Sequence, residues 1–424
     1  MGRPPAPRSH ATPALADVRE ARARIRDGIV ATPVVPALAL RDRLPCAMHL
    51  KLENAQRTGS FKDRGALNRL LDLTPEERAR GIVTASAGNH AQAVAYHGAR
   101  LGVPVEVVMP EHTPLVKVAN TRRYGAGVRF HGATVSEAMV EARRMEREDG
   151  RVLIHAFDDD LVIAGQGTIG LELLEQLPEL TAVVVPIGGG GLVSGIGIAI
   201  KEQRPDVRIF GVEAAAAASA LASRRAGHPV EMVSADTIAD GIAVKRPGDR
   251  TFPLIERYVD DIVAVEESQI AGAIHLLLEH QKTLAEGAGA VPLAALLAGL
   301  LPLRADDVAV MVLSGGNIDM NLADRIVERG LVMDGRLARL AVTVRDRPGE
   351  LARLTQLVAA EGANVLDVSH TRAFADIAVR DVEIVMYLET RGRDHMTAVM
   401  ARLEREGFAV GEHEGLDRMQ RSAR

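Results

Sequence analysis

The sequence predicts an α/β protein in which helices cover a parallel sheet and a smaller ferredoxin-like unit follows. Two observations carry this prediction. Between residues 16 and 333, short β-like runs alternate with amphipathic helical patterns, and this alternation is typical of parallel sheets. From residue 337 onward the order becomes strand, helix, strand, strand, helix, strand, which is that of the ferredoxin-like split unit.

The strands of the longer region are predicted from short runs rich in β-branched residues. These runs cover residues 49–52, 81–84, 105–109, 128–131, 182–186, 208–212, 261–265 and 308–313. Helical patterns follow most of them, with clear examples at residues 91–101, 136–148 and 268–279. Ligands of such folds bind outside the carboxyl ends of the strands, so glycine-rich turns at those ends are the first candidates for chemistry.

The smaller unit is predicted with strands at residues 337–344, 363–370, 382–388 and 408–411 and helices at 349–361 and 393–406. The chain therefore divides into a tail (1–15), an α/β region (16–333), a linker (334–336) and a C-terminal unit (337–424). The tail is rich in proline, alanine and arginine and has no apolar core, so we expect a mobile segment rather than a signal peptide.

Composition narrows the class of partner. The 424 residues carry a net charge of −5 without any Lys/Arg block, so neither nucleic acid nor an anionic membrane is an expected partner. The apolar stretch at residues 291–303 contains proline and falls short of the roughly 20 residues that a membrane span needs. Cys46 is the single cysteine, which excludes an internal disulfide and favours a reducing, cytoplasmic setting.

The first candidate site is the segment GSFKDRGA, residues 59–66. A lone lysine at a helix start is most often a solvated charge. Here Lys62 follows a Gly-Ser turn and the bulky Phe61, and it leads into a pair of small residues. Desolvation on such a cramped segment lowers the pKa of a lysine and makes its amine a nucleophile toward an aldehyde.

The second candidate is TASAGNHAQ, residues 84–92, directly after a predicted strand. Small residues that close a strand and open a helix present free N–H groups, and a carboxylate would bind there. A plain helix cap by Ser86 or Asn89 explains one polar residue, but not Ser, Asn, His and Gln within seven positions. His90 by itself would be structural.

The third candidate is VVVPIGGGGL, residues 183–192. Four glycines between a buried strand and a helix form a nest of N–H donors suited to a phosphate. The segment is not a P-loop, because Lys and Ser/Thr do not follow the last glycine. A loop that only needs positive φ angles would not require four successive glycines.

The fourth candidate is VLSGGN, residues 312–317, again at a strand end. Ser314 could meet a ring nitrogen as a neutral hydrogen-bond partner. A single serine is weak evidence, but the glycine pair after it indicates close approach by another group.

A competing motif is GQGTIG, residues 165–170, which matches the dinucleotide fingerprint G-x-G-x-x-G. A true fingerprint follows a strand and has an acidic residue at the end of the next strand. Here the preceding DDDLV is a poor strand, and the next strand ends in glycines. A nicotinamide oxidoreductase is therefore the weaker interpretation.

Together the four motifs resemble those of the pyridoxal-phosphate enzymes of the tryptophan-synthase-β group (fold type II). Their order is similar to that of threonine dehydratases, also called threonine ammonia-lyases, over about residues 20–330. The resemblance implies a two-part parallel-sheet fold, pyridoxal 5'-phosphate as cofactor, and L-threonine or L-serine as substrate. The C-terminal unit resembles an ACT-type regulatory domain, with residues 345–349 at the loop where such domains often bind amino acids.

The resemblance also implies roles for single residues. Lys62, next to Phe61, would bind the cofactor as a Schiff base. Asn89 would hydrogen-bond the ring hydroxyl, and Ser314 would face the pyridine nitrogen. The phosphate would bind to the loop of Gly188, Gly189, Gly190, Gly191 and Leu192. The substrate carboxylate would bind to the segment of Ser86, Ala87, Gly88 and His90.

The implied reaction is β-elimination of L-threonine to 2-oxobutanoate and ammonia, with L-serine to pyruvate as a secondary activity. The freed Lys62 amine would remove the Cα proton, and the cofactor phosphate would protonate the leaving hydroxyl. A neutral Ser314 would not keep the pyridine nitrogen protonated, so we expect elimination to be favoured over transamination.

Two departures refine the prediction. Serine racemases of this group carry a second serine before the Gly-Asn pair, where it acts as a base on the opposite face. Ala87 stands there, so efficient racemisation is not expected. Some relatives bind a divalent metal through a Glu and an Asp six residues later. The positions that match are Glu213 and Ser219, so we expect no metal.

Alternatives remain open at this point. The chain could be a serine dehydratase or racemase of the same group, or a catalytically weak amino-acid sensor. The intact Lys62, Asn89 and glycine loop argue against the sensor. By analogy, an ACT-like unit suggests control by an amino acid such as isoleucine or valine, or assembly into a homo-oligomer, a dimer or tetramer. A biosynthetic role, in isoleucine formation, and a catabolic role are both compatible with the sequence.

Overall fold

The computed structural model describes residues 12–371, 378 and 380–411. The chain divides into two compact units, with the boundary between Asp319 and Met320. Residues 1–11 of the predicted tail lie outside the described residues, and the first helix begins at Leu15. The predicted linker, residues 334–336, forms the turn between a helix and the first strand of the second unit. The domain limits stay a prediction.

The described residues form parallel sheets in the first unit and an antiparallel sheet in the second. The strands are β1 Val34–Pro36, β2 Ala47–Leu52, β3 Ile82–Ala85, β4 Val105–Met109, β5 Gly127–Phe130, β6 Val152–Leu153, β7 Ala182–Pro186, β8 Arg208–Ala214, β9 Asp261–Val265, β10 Val308–Leu313, β11 Leu337–Arg345, β12 Asn364–Thr371, β13 Asp381–Glu389 and β14 Ala409–Val410.

The helices alternate with these strands. They are α1 Leu15–Ile25, α2 Lys62–Leu71, α3 Pro75–Arg80, α4 Asn89–Leu101, α5 Leu115–Arg122, α6 Val135–Glu148, α7 Asp160–Gln176, α8 Gly191–Lys201, α9 Ser219–Ala226, α10 Thr251–Tyr258, α11 Glu267–Glu279, α12 Gly287–Leu297, α13 Met320–Met333, α14 Glu350–Ala360 and α15 Arg393–Arg405. None of the described helices is long and apolar enough to cross a bilayer.

The first unit contains two sheets. The larger has the order β1-β2-β10-β7-β8-β9, and the smaller has the order β5-β4-β3-β6. All neighbouring strands are parallel except β1, which pairs antiparallel with β2 at the edge. Pro36 lies at the end of β1, where its missing N–H breaks no central ladder. The alternation of strands and helices along the sequence therefore predicted the sheet type correctly.

The two central strands of the larger sheet, β7 and β10, are apolar on both faces. Every residue of β7 is buried, and in β10 only Val308 is partly exposed. Helices complete this core, and α7 and α8 pack directly against each other beside the sheet. Continuous apolar runs of this kind are typical of sheets covered on both faces.

The fingerprint-like glycines lie inside helix α7, not in a strand-to-helix turn. Asp159 caps that helix by accepting hydrogen bonds from Leu161 N–H and Val162 N–H at 2.9 and 3.0 Å. A Cβ on Gly165 would lie 2.6 Å from the Cα of Gly65. These glycines therefore let helices pack closely, which removes the basis for a dinucleotide site.

The second unit is a four-stranded antiparallel sheet of order β12-β13-β11-β14 with α14 and α15 packed on it. Its core contains alternate residues of β11 and the inner faces of both helices, for example Leu340, Leu354 and Leu403. The βαββαβ order predicted from the sequence is confirmed.

Candidate active site

Lys62 is the first residue of α2, at the carboxyl ends of the central strands. The turn before it is joined to the end of β10. Ser60 forms an isolated antiparallel bridge with Gly315, and the Phe61 N–H donates to the Ser314 carbonyl at 3.0 Å. The first and fourth sequence motifs, which are about 250 residues apart, are therefore bonded to each other through the backbone.

The Lys62 amine is held in a poorly solvated position. Nζ donates a hydrogen bond to the Ala156 carbonyl at 2.9 Å and lies 4.9 Å from the centre of the Phe61 ring. Burial lowers the pKa of Lys62 to about 8, although the nearby Glu286 carboxylate acts in the opposite direction. About a tenth of the amine is therefore neutral, and so nucleophilic, at pH 7.

The second motif forms the turn from β3 into α4. Ser86, Ala87, Gly88 and Asn89 are half-buried, and the N-cap is Gly88 without a side-chain cap. Ser86 Oγ instead accepts from the Gly88 N–H at 3.3 Å. The simple capping interpretation is therefore wrong. The segment can therefore bind an anion through its backbone N–H groups and the positive end of the α4 helix dipole.

His90 differs from its neighbours in this motif. It is 2 % exposed, and its Nε2 lies 3.2 Å from the Ile154 carbonyl. Burial lowers the pKa of His90 to about 3, so the ring is neutral. Any contribution of His90 to a carboxylate site would come from its backbone.

The glycine loop joins β7 to α8 and is shaped by close neighbours. Gly190 has φ +93° and forms the N-cap of α8, and Gly191 and Leu192 begin the helix. A Cβ on Gly188 would lie 2.9 Å from the Ile242 Cα, and one on Gly189 would lie 2.3 Å from the Phe157 ring. The first N–H groups of α8 have no acceptor within the helix, so the loop presents a nest of donors.

Ser314 follows β10 and is 1 % exposed. Its Oγ is buried without a hydrogen-bond partner among the described residues. A buried hydroxyl left in this way costs free energy, so its partner is expected to come from a ligand.

Two polar residues at the site were missed by the sequence reasoning. Glu286 precedes α12 and is 3 % exposed, and Asn317 ends the fourth motif. Burial, and then Asp240, raise the pKa of Glu286 to about 7. The only sequence signal for Glu286 was an acidic residue before the apolar, glycine-containing run at 287–297.

A buried network of charges lies behind Lys62. Arg64 binds Glu53 and Glu172 with four hydrogen bonds of 2.6 to 2.8 Å, and Lys51 binds Glu172 at 2.6 Å. Two cations and two anions are balanced, so the desolvation of each is offset by its partners. This network fixes the first turn of α2, and with it the position of Lys62.

Glu213, the residue considered for a metal, caps helix α9. Its carboxylate oxygens accept the N–H groups of Ala220 and Leu221 at 2.9 and 2.8 Å. Burial raises the pKa of Glu213 to about 7, although those backbone bonds work in the opposite direction. The expectation of no metal stays a prediction.

The residues fit the cofactor that the motifs imply. Pyridoxal phosphate needs an amine for its aldehyde, donors for its phosphate and a partner for its ring nitrogen. Lys62 offers the amine, the N-terminus of α8 offers the donors, and the unsatisfied Ser314 hydroxyl offers the partner.

Comparison with known proteins agrees with this geometry. The model of the pyridoxal-phosphate dependent enzyme family matches residues 25–315, and that of the ACT domain matches residues 338–408. An L-threonine ammonia-lyase of Thermotoga maritima is 46% identical over 396 residues, which cover 93% of this chain and 98% of the relative.

Solved structures give the same result for the first unit. The processed form of threonine deaminase isoform 2 from Solanum lycopersicum superposes with a TM-score of 0.70 and 38% identity, covering 74% of this chain and 86% of that one. Serine racemase from Dictyostelium discoideum superposes with a TM-score of 0.69 and 38% identity, covering 73% and 100%. The chain belongs to the pyridoxal-phosphate dependent enzymes of fold type II and carries a C-terminal ACT domain.

Proposed function

We propose that this protein is an L-threonine ammonia-lyase, which converts L-threonine to 2-oxobutanoate and ammonia and acts on L-serine as a poorer substrate. The observation that carries the proposal is the Lys62 amine, whose pKa is lowered to about 8 at the meeting point of the motifs. Relatives that share most of the chain are named for this activity.

Each motif has one task in this proposal. Lys62 would hold the cofactor aldehyde, the α8 N-terminus with Gly188 to Leu192 would hold the phosphate, and Ser314 Oγ would be the partner of the ring nitrogen. Asn89 would be the donor to the ring oxygen, and Phe61 would be a neighbour of the cofactor. When bound, the cofactor supplies the electron sink that acidifies the substrate Cα–H bond.

The substrate is oriented by the turn at the start of α4. Its carboxylate binds to the N–H groups of residues 87–90, helped by the helix dipole, since the Ser86 N–H already donates to the Val108 carbonyl at 3.2 Å. When free, Lys62 Nζ removes the Cα proton, and a neutral amine is available because the pKa is about 8. No second base is supplied by Ala87, so the proton is not returned from the opposite face. This favours elimination over racemisation, although serine racemases share the fold.

Cofactor binding can be tested by absorbance. Freshly purified full-length protein is expected to show the absorbance band of a cofactor bound to a lysine. Lys62→Ala should lose the band, while Lys201→Ala, at a half-buried lysine paired with Asp260 at the end of α8, should keep it. Wild-type protein without the band, even after incubation with pyridoxal phosphate, would contradict the proposal.

We also propose that the ACT domain binds an amino-acid effector. A cleft of about 310 Å³ in this domain is lined by the loop at residues 345–351 and by His370. Isoleucine and valine are the candidates by analogy. Leu351 lines the cleft and is 39 % exposed, so a larger side chain at this position would fill the cleft. Leu351→Trp is expected to keep basal activity and lose the response to these amino acids.

The assembly is proposed to be a homo-dimer or tetramer. Leu366 on β12 and Tyr387 on β13 are apolar residues that the ACT domain exposes, 53 % and 40 % respectively. Light scattering of the wild type should give two or four chains, and a monomer would exclude this part of the proposal.

A further inference from the structure

The amide of Asn89 lies in a chain of hydrogen bonds that no sequence motif predicted. Asn317 Nδ2 donates to the Thr58 carbonyl at 2.7 Å and to Asn89 Oδ1 at 2.8 Å. Asn89 Nδ2 in turn donates to Glu286 Oε1 at 2.7 Å. This series of hydrogen bonds thus runs from the turn before Lys62, through the side-chain amides of Asn317 and Asn89, to the Glu286 carboxylate before α12.

The donor and the acceptor of each hydrogen bond in this series follow from the groups at its two ends. A backbone carbonyl only accepts, so Thr58 must meet the nitrogen of Asn317 and not its oxygen. Both hydrogens of that nitrogen are then used, and the second one meets Asn89 Oδ1. The nitrogen of Asn89 therefore faces Glu286, whose carboxylate also only accepts when it is ionised, above its pKa of about 7.

One N–H of Asn89 is left over. The hydrogen bonds among the described residues use Asn89 Oδ1 and one hydrogen of Nδ2. Asn89 is half-buried at the first turn of α4, and Asn317 links it to Thr58 in the turn before Lys62. Because the orientation of the Asn89 amide is fixed, its free group is an N–H donor and not the amide oxygen.

The backbone around the chain is built to allow these contacts. A Cβ on Gly315 would lie 2.5 Å from Glu286 Oε1, and one on Gly59 would lie 2.6 Å from Asn317 Oδ1. Thr58 is itself fixed, because its N–H and hydroxyl donate to the Asp63 carboxylate at 2.9 and 2.7 Å. The anchor at Thr58 is therefore rigid.

We propose that Asn317 and Glu286 are positioning residues that fix the Asn89 amide so that its spare N–H is presented to the ring oxygen of pyridoxal phosphate. This inference rests on the proposed function, since Asn89 is taken there as the ring-oxygen donor. It adds that the Thr58 carbonyl, acting through Asn317, determines which group of the Asn89 amide is free to donate.

Asn317→Asp is the most direct test because it keeps the shape and removes the donor. At about pH 9, Glu286 is ionised, so two carboxylates flank the Asn89 amide. Whichever way the amide turns, its oxygen meets one of them, and the spare N–H is no longer held. We expect pyridoxal phosphate to bind about 10- to 100-fold more weakly, as for the loss of a hydrogen bond to a charged group.

Glu286→Gln separates amide orientation from charge. A glutamine oxygen can still accept from Asn89, so the orientation is kept and affinity should stay within about threefold of the wild type. Asn54→Asp is the matched control, because Asn54 Nδ2 also donates to a backbone carbonyl, that of Leu284 at 3.0 Å, but lies outside the chain. If Asn317→Asp does not fold, Asn317→Ala removes the same donor without adding charge.

The readouts are the dissociation constant of pyridoxal phosphate from the full-length apoprotein and the ratio of the two absorbance bands that report the protonation of the cofactor ring oxygen. Asn317→Asp should change both, Asn54→Asp should change neither, and Glu286→Gln should change the dissociation constant by no more than about threefold. The inference is overturned if Asn317→Asp matches Asn54→Asp, or if Glu286→Gln is as weak as Asn317→Asp. Failure of wild-type protein to bind the cofactor would instead refute the proposed function.

Discussion

The Lys62 amine donates a hydrogen bond to the carbonyl oxygen of Ala156 at 2.9 Å. A carbonyl accepts from a neutral amine as well as from an ammonium group, so this bond holds Nζ in place in either state. Burial meanwhile lowers the pKa of Lys62 to about 8. The lysine is therefore positioned and partly deprotonated before any ligand arrives.

The pH dependence of cofactor capture follows from this pKa. The nucleophile is the neutral amine, so the rate at which apoprotein takes up pyridoxal phosphate should rise with pH and level off above about 8. Glu286 raises the pKa of Lys62 against the effect of burial. Glu286→Gln should therefore shift the midpoint of the profile to lower pH. Stopped-flow absorbance measures the rate.

Glu148→Gln provides the control for that shift. Glu148 lies at the end of α6, where it pairs with Arg144 on the protein surface. The same exchange there should leave the midpoint unchanged. A midpoint near 10.5, the usual pKa of a lysine, in the wild type would show that Lys62 is not desolvated.

The buried charge network predicts a large loss of stability. Arg64→Leu leaves Glu53 and Glu172 buried with Lys51 as the remaining cation, and breaking a buried pair costs about 3–5 kcal/mol. Urea denaturation of the holoenzyme measures the free energy of unfolding. Arg144→Leu also removes an arginine that pairs with two glutamates, but Arg144 is partly exposed and Glu141 keeps Arg129 as a partner, so the effect should be small. Equal effects of the two variants would contradict this assignment.

The close packing of the α7 glycines predicts that a glycine-to-alanine substitution in α7 destabilises the protein, whereas the same substitution in α11 does not. Gly165→Ala places a Cβ 2.6 Å from the Gly65 Cα and 2.8 Å from the Arg64 carbonyl, so backbone must move, at a cost of about 1–3 kcal/mol or more. Gly272→Ala on α11 meets nothing within 4 Å and should stabilise the helix by up to about 1 kcal/mol. Thermal unfolding distinguishes the two. A stable Gly165→Ala protein would show that α7 does not pack this closely.

The hydroxyl of Ser314 is expected to influence whether the protein catalyses elimination or transamination. Replacing the neutral hydroxyl with a carboxylate should keep the pyridine nitrogen protonated, which favours transamination at the expense of elimination. Ser314→Asp is therefore expected to release less 2-oxobutanoate and to accumulate pyridoxamine phosphate, measured by chromatography. Unchanged elimination with negligible transamination would show that this contact does not control the outcome.

Much of the fold could be predicted because its signals are local. The parallel strands are continuous apolar runs, and the predicted bounds of β4, β7, β9 and β10 match the structure residue for residue. The edge strand β1 was missed because three residues ending in Pro36 carry too short a pattern. The division of the first unit into two sheets depends on long-range pairing, and the resemblance, not the periodicity, implied it.

The site was predictable only where chemistry is written into a contiguous motif. Lys62, Asn89 and the glycine loop belong to contiguous motifs and could be proposed as site residues in this way. Glu286 and Asn317 act through contacts with Asn89, which is about 200 residues away in sequence. Their importance comes from burial and hydrogen-bond direction, which residue spacing does not encode.

The most direct measurement of threonine deamination is the rate of 2-oxo acid release by full-length protein with pyridoxal phosphate, given L-threonine, L-serine and D-serine in turn. We expect 2-oxobutanoate from L-threonine at the highest rate, pyruvate from L-serine more slowly and no product from D-serine. Lys62→Ala should reduce the rate by at least about 100-fold, as for loss of a general base. Wild-type protein that binds the cofactor but releases no 2-oxobutanoate from L-threonine would contradict the assignment.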